Sequence, residues 1–243
     1  MNLLTFINSS LPTTAAHRWL LASVMLTVLA LGWKYPLLGF VVPIAMLSGM
    51  IGGALRGRYI CGNLCPRGSF FDTFFAKFGP SRPIPEKLLD MKLRLVVMIG
   101  LMGFMTYRLA QNPSSLEHWG MVFWQMCLIT TAAAMVLGML YRPRTWCAIC
   151  PVGTIGNATG GNKYQLTIAE DCRSCGICEA SCPMGHQITD FKRDGFVRER
   201  DCLQCSTCVN VCPVAALMLE KVSGYKTPKP RQVEVEEKFR EAA

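Results

Sequence analysis

The chain has 243 residues, 51% of them hydrophobic and only 17% charged, with a formal net charge of +9. That balance fits a protein that is part membrane-embedded and part soluble. Twelve of its thirteen cysteines stand in short clusters, which argues for metal ligation and against a disulfide framework.

The first apolar stretch runs over Leu11–Trp33, with Trp19–Trp33 its fully apolar part. No Lys or Arg precedes Arg18, and no small-x-small cleavage site follows it, so the run reads as a retained helix. Three more stretches follow at Pro36–Arg56, Leu93–Ala110 and Gly120–Tyr141. About 20 apolar residues cross a hydrocarbon core roughly 30 Å thick, so four spans are expected. Arg94 and Arg108 flank the third, where their charges can snorkel outward. Four buried helices of a soluble bundle would leave too little polar surface for so short a region.

The connections near 33–36 and 108–119 are short and hold only Lys34, Arg108 and Glu117. The connection 57–92 is long and basic, and Arg142 and Arg144 follow the fourth stretch. The excess of basic residues inside then places both termini and the long loop in the cytoplasm of a bacterial or archaeal cell. Trp19, Tyr59, Tyr141 and Trp146 would mark the inner interface, and Trp33, Tyr35, Tyr107 and Trp119 the outer one. Charge of this kind is a membrane flank, and no nucleic-acid partner is expected. Within the loop, Phe70, Phe71, Phe74, Phe75 and Phe78 share one helical face. Ser69 is the expected N-cap and Gly79-Pro80 the stop, giving a helix lying flat in the interface.

Two cysteine pairs stand at the membrane edge. Cys61-Gly-Asn-Leu-Cys65-Pro66-Arg-Gly68 follows the second stretch, and Cys147-Ala-Ile-Cys150-Pro151-Val-Gly153 follows the fourth. Each half is a helix pair, a cysteine pair and Pro-x-Gly, a weak internal repeat with both copies in one orientation. Spacings of three or four put the two sulfurs of a pair on one helical face. Three readings stand: the four thiols hold a third cluster or another metal; they form a redox dithiol or quinone-facing site; or they are small residues at crowded helix ends. Cys127, alone within the fourth stretch, reads as a packing residue.

The last third carries the strongest signal. Cys172-x2-Cys175-x2-Cys178-x3-Cys182-Pro183 is followed by Cys202-x2-Cys205-x2-Cys208-x3-Cys212-Pro213. In this two-cluster run the fourth cysteine of each series ligates the other cluster. One [4Fe–4S] cluster is thus expected on Cys172, Cys175, Cys178 and Cys212, the other on Cys202, Cys205, Cys208 and Cys182. Zinc sites favour paired cysteines with longer gaps. Between the runs, Ile188–Arg198 reads as a hairpin turning at Asp194-Gly195. No G-x-G-x-x-G or Walker motif points to a nucleotide. His17, His118 and His186 are the only histidines, none well inside a span, which argues against bis-histidine haem.

Four apolar stretches, Arg58-Tyr-Ile-Cys-Gly-Asn-Leu-Cys-Pro66, Trp146-Cys-Ala-Ile-Cys-Pro-Val-Gly153 and the two ferredoxin runs occur here in the order found in the NapH-type membrane ferredoxins. The chain resembles that group, which includes the MauN proteins and the C-terminal part of NosR, over residues 15–221. Cys147-x2-Cys150 is one residue shorter than the group's usual Cys-x3-Cys-Pro. The resemblance implies electron exchange between a quinone pool, cytoplasmic clusters and partner redox subunits, as in a quinol dehydrogenase complex. The other functions considered are ferredoxin-driven metal reduction or maturation, and redox sensing, through the membrane-edge pairs. The expected fold is a membrane all-α part of four transmembrane helices plus a C-terminal α+β two-cluster bacterial ferredoxin-like domain. The expected boundaries are 1–145, 146–221 and a tail 222–243, with lipid around the first.

Overall fold

A computed structural model describes residues 15–75, 82–160 and 163–221. The expected tail 222–243, Phe78 and the Gly79-Pro80 stop lie outside the described residues.

Helix α1 (Ala15–Leu31) is followed by a 3-10 turn at Pro36–Phe40 that runs into α2 (Val41–Arg56). Short helices α3 (Tyr59–Asn63) and α4 (Pro66–Phe74) come next, then α5 (Glu86–Leu89). The long helices α6 (Met91–Ala110) and α7 (Leu116–Leu140) complete the apolar part. Asp90 caps α6 by accepting from the Lys92 amide at 3.1 Å, and Ser115 caps α7 by accepting from His118 at 3.3 Å. Among the described residues, three helical segments are long and apolar enough to cross a membrane: Pro36–Arg56, Met91–Ala110 and Leu116–Leu140. The first expected span is a shorter described helix of 17 residues. Its preceding residues fall outside the described range.

Helix α7 is the central member and α6 the peripheral one, with 44% and 6% of their apolar windows buried. Leu47, Ile51, Val96, Ile99, Ile129 and Val136 face outward, as lipid-contacting side chains do. Inside, Ala22, Met25, Phe70, Phe71, Cys127, Ala134, Trp146 and Ile149 form one core. Trp146 is therefore packed within the protein and is not an interfacial anchor. The phenylalanine helix also differs from expectation. It starts at Pro66, because proline suits the first helical position, and Ser69 is a buried interior residue whose carbonyl accepts from Thr73. Phe70 and Phe71 belong to the core and do not float on the membrane surface.

After α8 (Trp146–Ile149) and α9 (Pro151–Gly160), the chain enters the cysteine-rich part. Strand β1 (Tyr164–Ile168) pairs antiparallel with β2 (Leu217–Lys221), Leu166 opposite Leu219. Between them lie α10 (Ile177–Ala180), a 3-10 segment at Thr189–Asp194 and α11 (Thr207–Asn210). The expected hairpin at Ile188–Arg198 is absent. Its first arm winds into the 3-10 segment, which delivers Ile188 and Phe191 to the core under the sheet. The expected turn survives at Gly195, with φ +74, and the second arm pairs with β1 through Val197 N–H to Leu166 carbonyl at 2.8 Å.

Candidate functional site

The second cysteine of each membrane-edge pair sits at the same place in its half. Cys65 is the extended residue before α4, and Cys150 the extended residue before α9. The proline after each opens the next helix. Cys61 and Cys147 lie within the short helices α3 and α8. The repeat seen in sequence is thus a structural repeat: short helix, cysteine, Pro-opened helix.

Two arginines tie the halves together, each standing three residues before a pair. Arg58 donates to the Cys147 carbonyl and, at 2.7 Å, to Asp201. Arg144 donates to the Cys61 carbonyl at 2.8 Å and forms a two-pronged pair with Asp72 at 2.8 and 2.7 Å. Each half's arginine therefore closes on the first cysteine of the other half. The glycines of the two Pro-x-Gly segments explain themselves here. A Cβ on Gly68 would stand 2.1 Å from Arg144 Nη1, and one on Gly153 would stand 2.8 Å from Arg58 Nη2. Both guanidiniums are buried.

All four membrane-edge cysteines line one cavity of about 170 Å³, which reaches up among Met25, Met46, Met102, Met105 and Met126 of the long helices. Arg67, on α4, lines it too and donates to Thr130 at 2.8 Å and towards the Cys127 sulfur at 3.7 Å. Burial pushes the Cys61 thiol up to about 12, against the pull of Arg58. Burial and the neighbouring Cys147 raise Cys65, with the Gly68 amide, Arg144 and Arg67 acting the other way.

In the ferredoxin-like part, Cys182, Cys202, Cys205 and Cys208 line a second, smaller cavity with Met184, Ile188 and Leu203 around it. Cys172, Cys178 and Cys212 gather under the sheet with Leu166 and Ile168, Cys178 buried there, while Cys175 is exposed. The loops holding these thiols turn through left-handed residues at Ser174, Gln204, Ser206 and Ala215. Such turns aim backbone N–H groups inward. The Ala216 amide donates to the Cys212 sulfur at 3.4 Å. Burial raises the Cys182 thiol, opposed by amides of His186, Met184 and Gly185, and raises Cys202 to about 12. Apolar, thiol-lined, amide-rich pockets fit iron–sulfur clusters, whose negative charge those amides offset. Among the described residues, no three His, Cys, Asp or Glu side chains converge on a single metal-ion position, in either part.

The two parts meet through the second run. Cys61 and Cys147 pack with Cys182 and Cys205 around Ala148, Met184 and Leu203. Asn63 donates to the Gln204 carbonyl at 3.0 Å, and Arg142 to the Cys182 carbonyl at 2.7 Å. Asp201 accepts from Arg58, from Arg94 on α6 at 2.9 and 2.6 Å, and from Asn157 on α9 at 2.6 Å. These arginine braces were not anticipated from sequence, although Arg-x-x-Cys stands before both pairs.

Comparison with known proteins agrees with these pockets. The family model described as "4Fe-4S dicluster domain" matches residues 171–217, and the one described as "4Fe-4S binding domain" matches residues 38–85 and 123–161. The ferredoxin-type protein MauN of Methylorubrum extorquens is 33% identical over 150 residues, 55% of this chain and 50% of that one. The ferredoxin-type protein NapH of Escherichia coli is 29% identical over 177 residues, 65% of this chain and 61% of that one. An uncharacterized protein of Methanocaldococcus jannaschii is 25% identical over 172 residues, 67% of this chain and 64% of that one. The chain thus spans between half and just under two thirds of the length of these three relatives. No solved structure matches. Iron–sulfur clusters are cofactors of the chain.

Proposed function

Because this chain belongs to the NapH/MauN-like family of ferredoxin-type membrane proteins, we propose that it is a membrane electron-transfer subunit exchanging electrons between a quinone and its own [4Fe–4S] clusters. Cys172, Cys175, Cys178 and Cys212 hold one cluster; Cys202, Cys205, Cys208 and Cys182 hold the other. Bound there, the clusters supply one-electron redox chemistry. Both termini face the cytoplasm, where the excess of Lys and Arg in the 57–92 connection lies, and a partner redox subunit takes up or delivers electrons at the ferredoxin-like part.

One observation carries this reading. The methionine-lined cavity runs from the long helices to Cys61 and Cys147, which pack with Cys182 and Cys205 around Ala148, Met184 and Leu203. The chain's own residues thereby make an apolar entrance for a lipid-soluble carrier, with a cation at its inner end. Arg67 donates only to neutral groups among the described residues, and its guanidinium can take a quinone oxygen.

The test uses the full chain in liposomes. Addition of a reduced quinol should bleach the iron–sulfur absorbance. Met105→Trp, which fills the cavity, should abolish that bleaching while leaving reduction by dithionite intact. Absence of quinol bleaching in the wild-type protein, with dithionite still effective, overturns the quinone reading.

A further inference from the structure

Trp146 leaves its polar edge unused, and the other tryptophans do not. Trp19 and Trp33 reach the surface. Trp119 donates from its indole nitrogen to the Asn112 carbonyl and Trp124 to the Leu29 carbonyl, each at 3.3 Å. Trp146 is only 7% exposed, and its indole nitrogen is buried without an acceptor among the described residues. A buried indole N–H ordinarily finds a partner, and a donor left unpaired out of water costs more than a hydrogen bond gains.

The position of that side chain says what could accept from it. Trp146 opens α8, directly before Cys147, and lines the same cavity as Arg67. It packs in one core with Cys127, towards whose sulfur Arg67 donates at 3.7 Å. Its core neighbours Phe70, Phe71, Ala134 and Ile149 bring no side-chain acceptor. An indole has one donor and no acceptor, and a guanidinium has five donors and no acceptor. The cysteine end of a mostly apolar cavity thus carries two side chains that can only donate. A hydrocarbon tail leaves both without a partner. A flat apolar head group bearing carbonyl oxygens satisfies them, and a few polar groups placed in an apolar pocket are what fix a ligand's orientation.

We propose that the Trp146 indole N–H, together with the Arg67 guanidinium, grips the carbonyl oxygens of a bound para-quinone, so that Trp146 selects which lipid-soluble molecules the cavity accepts. The proposal rests on the quinone reading above and adds the residue that recognises the carrier by its oxygens.

The probe is duroquinone, a small tetramethyl para-quinone, added to the oxidised full chain in detergent. Trp146→Phe removes the N–H and keeps an aromatic ring. Its affinity for duroquinone should fall about three- to tenfold, the worth of one neutral hydrogen bond. The infrared carbonyl stretch of the bound quinone should rise towards its free value, while iron content and cluster midpoint potentials stay as in the wild type. A merely structural indole would not move the carbonyl stretch. In the wild type, ultraviolet resonance Raman should show one indole N–H passing from free to hydrogen-bonded when duroquinone is added, which decides the matter even if the variant fails to fold. Wild-type binding with no Raman change, or a Trp146→Phe protein with unaltered affinity and carbonyl stretch, overturns the proposal and leaves the quinone reading standing. A shifted cluster potential with an unmoved carbonyl stretch also overturns it, by assigning the N–H to a cluster sulfur. Failure of the wild type to bind duroquinone at all overturns both.

Discussion

Replacing Asp201 by Asn is the sharpest probe of how the ferredoxin-like part is fixed to its membrane base. The substitution keeps the shape and removes the charge that Arg58, Arg94 and Asn157 share. Burial alone would raise this carboxyl, yet hydrogen bonds and charge from Arg94 and Arg58 hold it down at about 2, against an ordinary 3.8. Holding a buried carboxyl that far down corresponds to roughly 2–3 kcal/mol of native-state stabilisation. Its sign is that of a depressed acid. The stabilisation is complete above the ordinary carboxylate value and is lost as the pH falls towards about 2, so at neutral pH it is fully present. Removing one partner of a buried ion pair costs about 3–5 kcal/mol in general. The Asp201 side chain is 14% exposed, so screening is small and a loss near 3 kcal/mol is expected. For a chain of this size that lowers the melting point by roughly 6–12 °C. The assay is thermal bleaching of the iron–sulfur absorbance of the detergent-solubilised protein at neutral pH. A double change, Asp201→Asn with Arg94→Met, should recover part of the loss by removing one stranded cation. An Asp201→Asn protein that melts with the wild type would refute the reasoning.

Other substitutions probe the remaining contacts. Gly68→Ala should displace Arg144 from Asp72, since its Cβ would meet Nη1 at 2.1 Å, costing about 1–3 kcal/mol in melting assays; a neutral result would mean that Arg144 moves freely. Gly62→Ala would put a Cβ 2.1 Å from the Leu203 carbonyl oxygen, where backbone cannot easily yield. It should perturb the EPR signal of the cluster assigned to the Cys202 run and spare the other. Cys127→Ala should leave the iron content unchanged, because that sulfur packs in the core beside Arg67; loss of iron would reassign it as a ligand.

The sequence made the long helices, both cysteine pairs and the doubled ferredoxin run legible, because apolar length and thiol spacing are local signals. It misled where local and long-range preferences compete. Ile188–Arg198 has the alternation and Asp-Gly turn of a hairpin, but Ile188 and Phe191 reach the core by a 3-10 turn, and only the second arm pairs with β1. Ser69 looks like a cap, yet Pro66 had already opened the helix. The arginine braces were hidden because Arg58 and Arg144 read as membrane-flanking charge. Their partners, Cys147 and Cys61, are 89 and 83 residues away along the chain. The shared Arg-x-x-Cys offset, with Pro-x-Gly behind it, was the available clue.

The reciprocal closure of the two arginines bears on how the protein is made. Arg58 emerges early in synthesis but has no carbonyl to grip until Cys147 arrives, and the Cys61 carbonyl waits likewise for Arg144. Neither half finishes its own thiol pocket, because each takes its closing arginine from the other. A chain that stopped before residue 144 would keep the Cys61 carbonyl without the guanidinium that binds it.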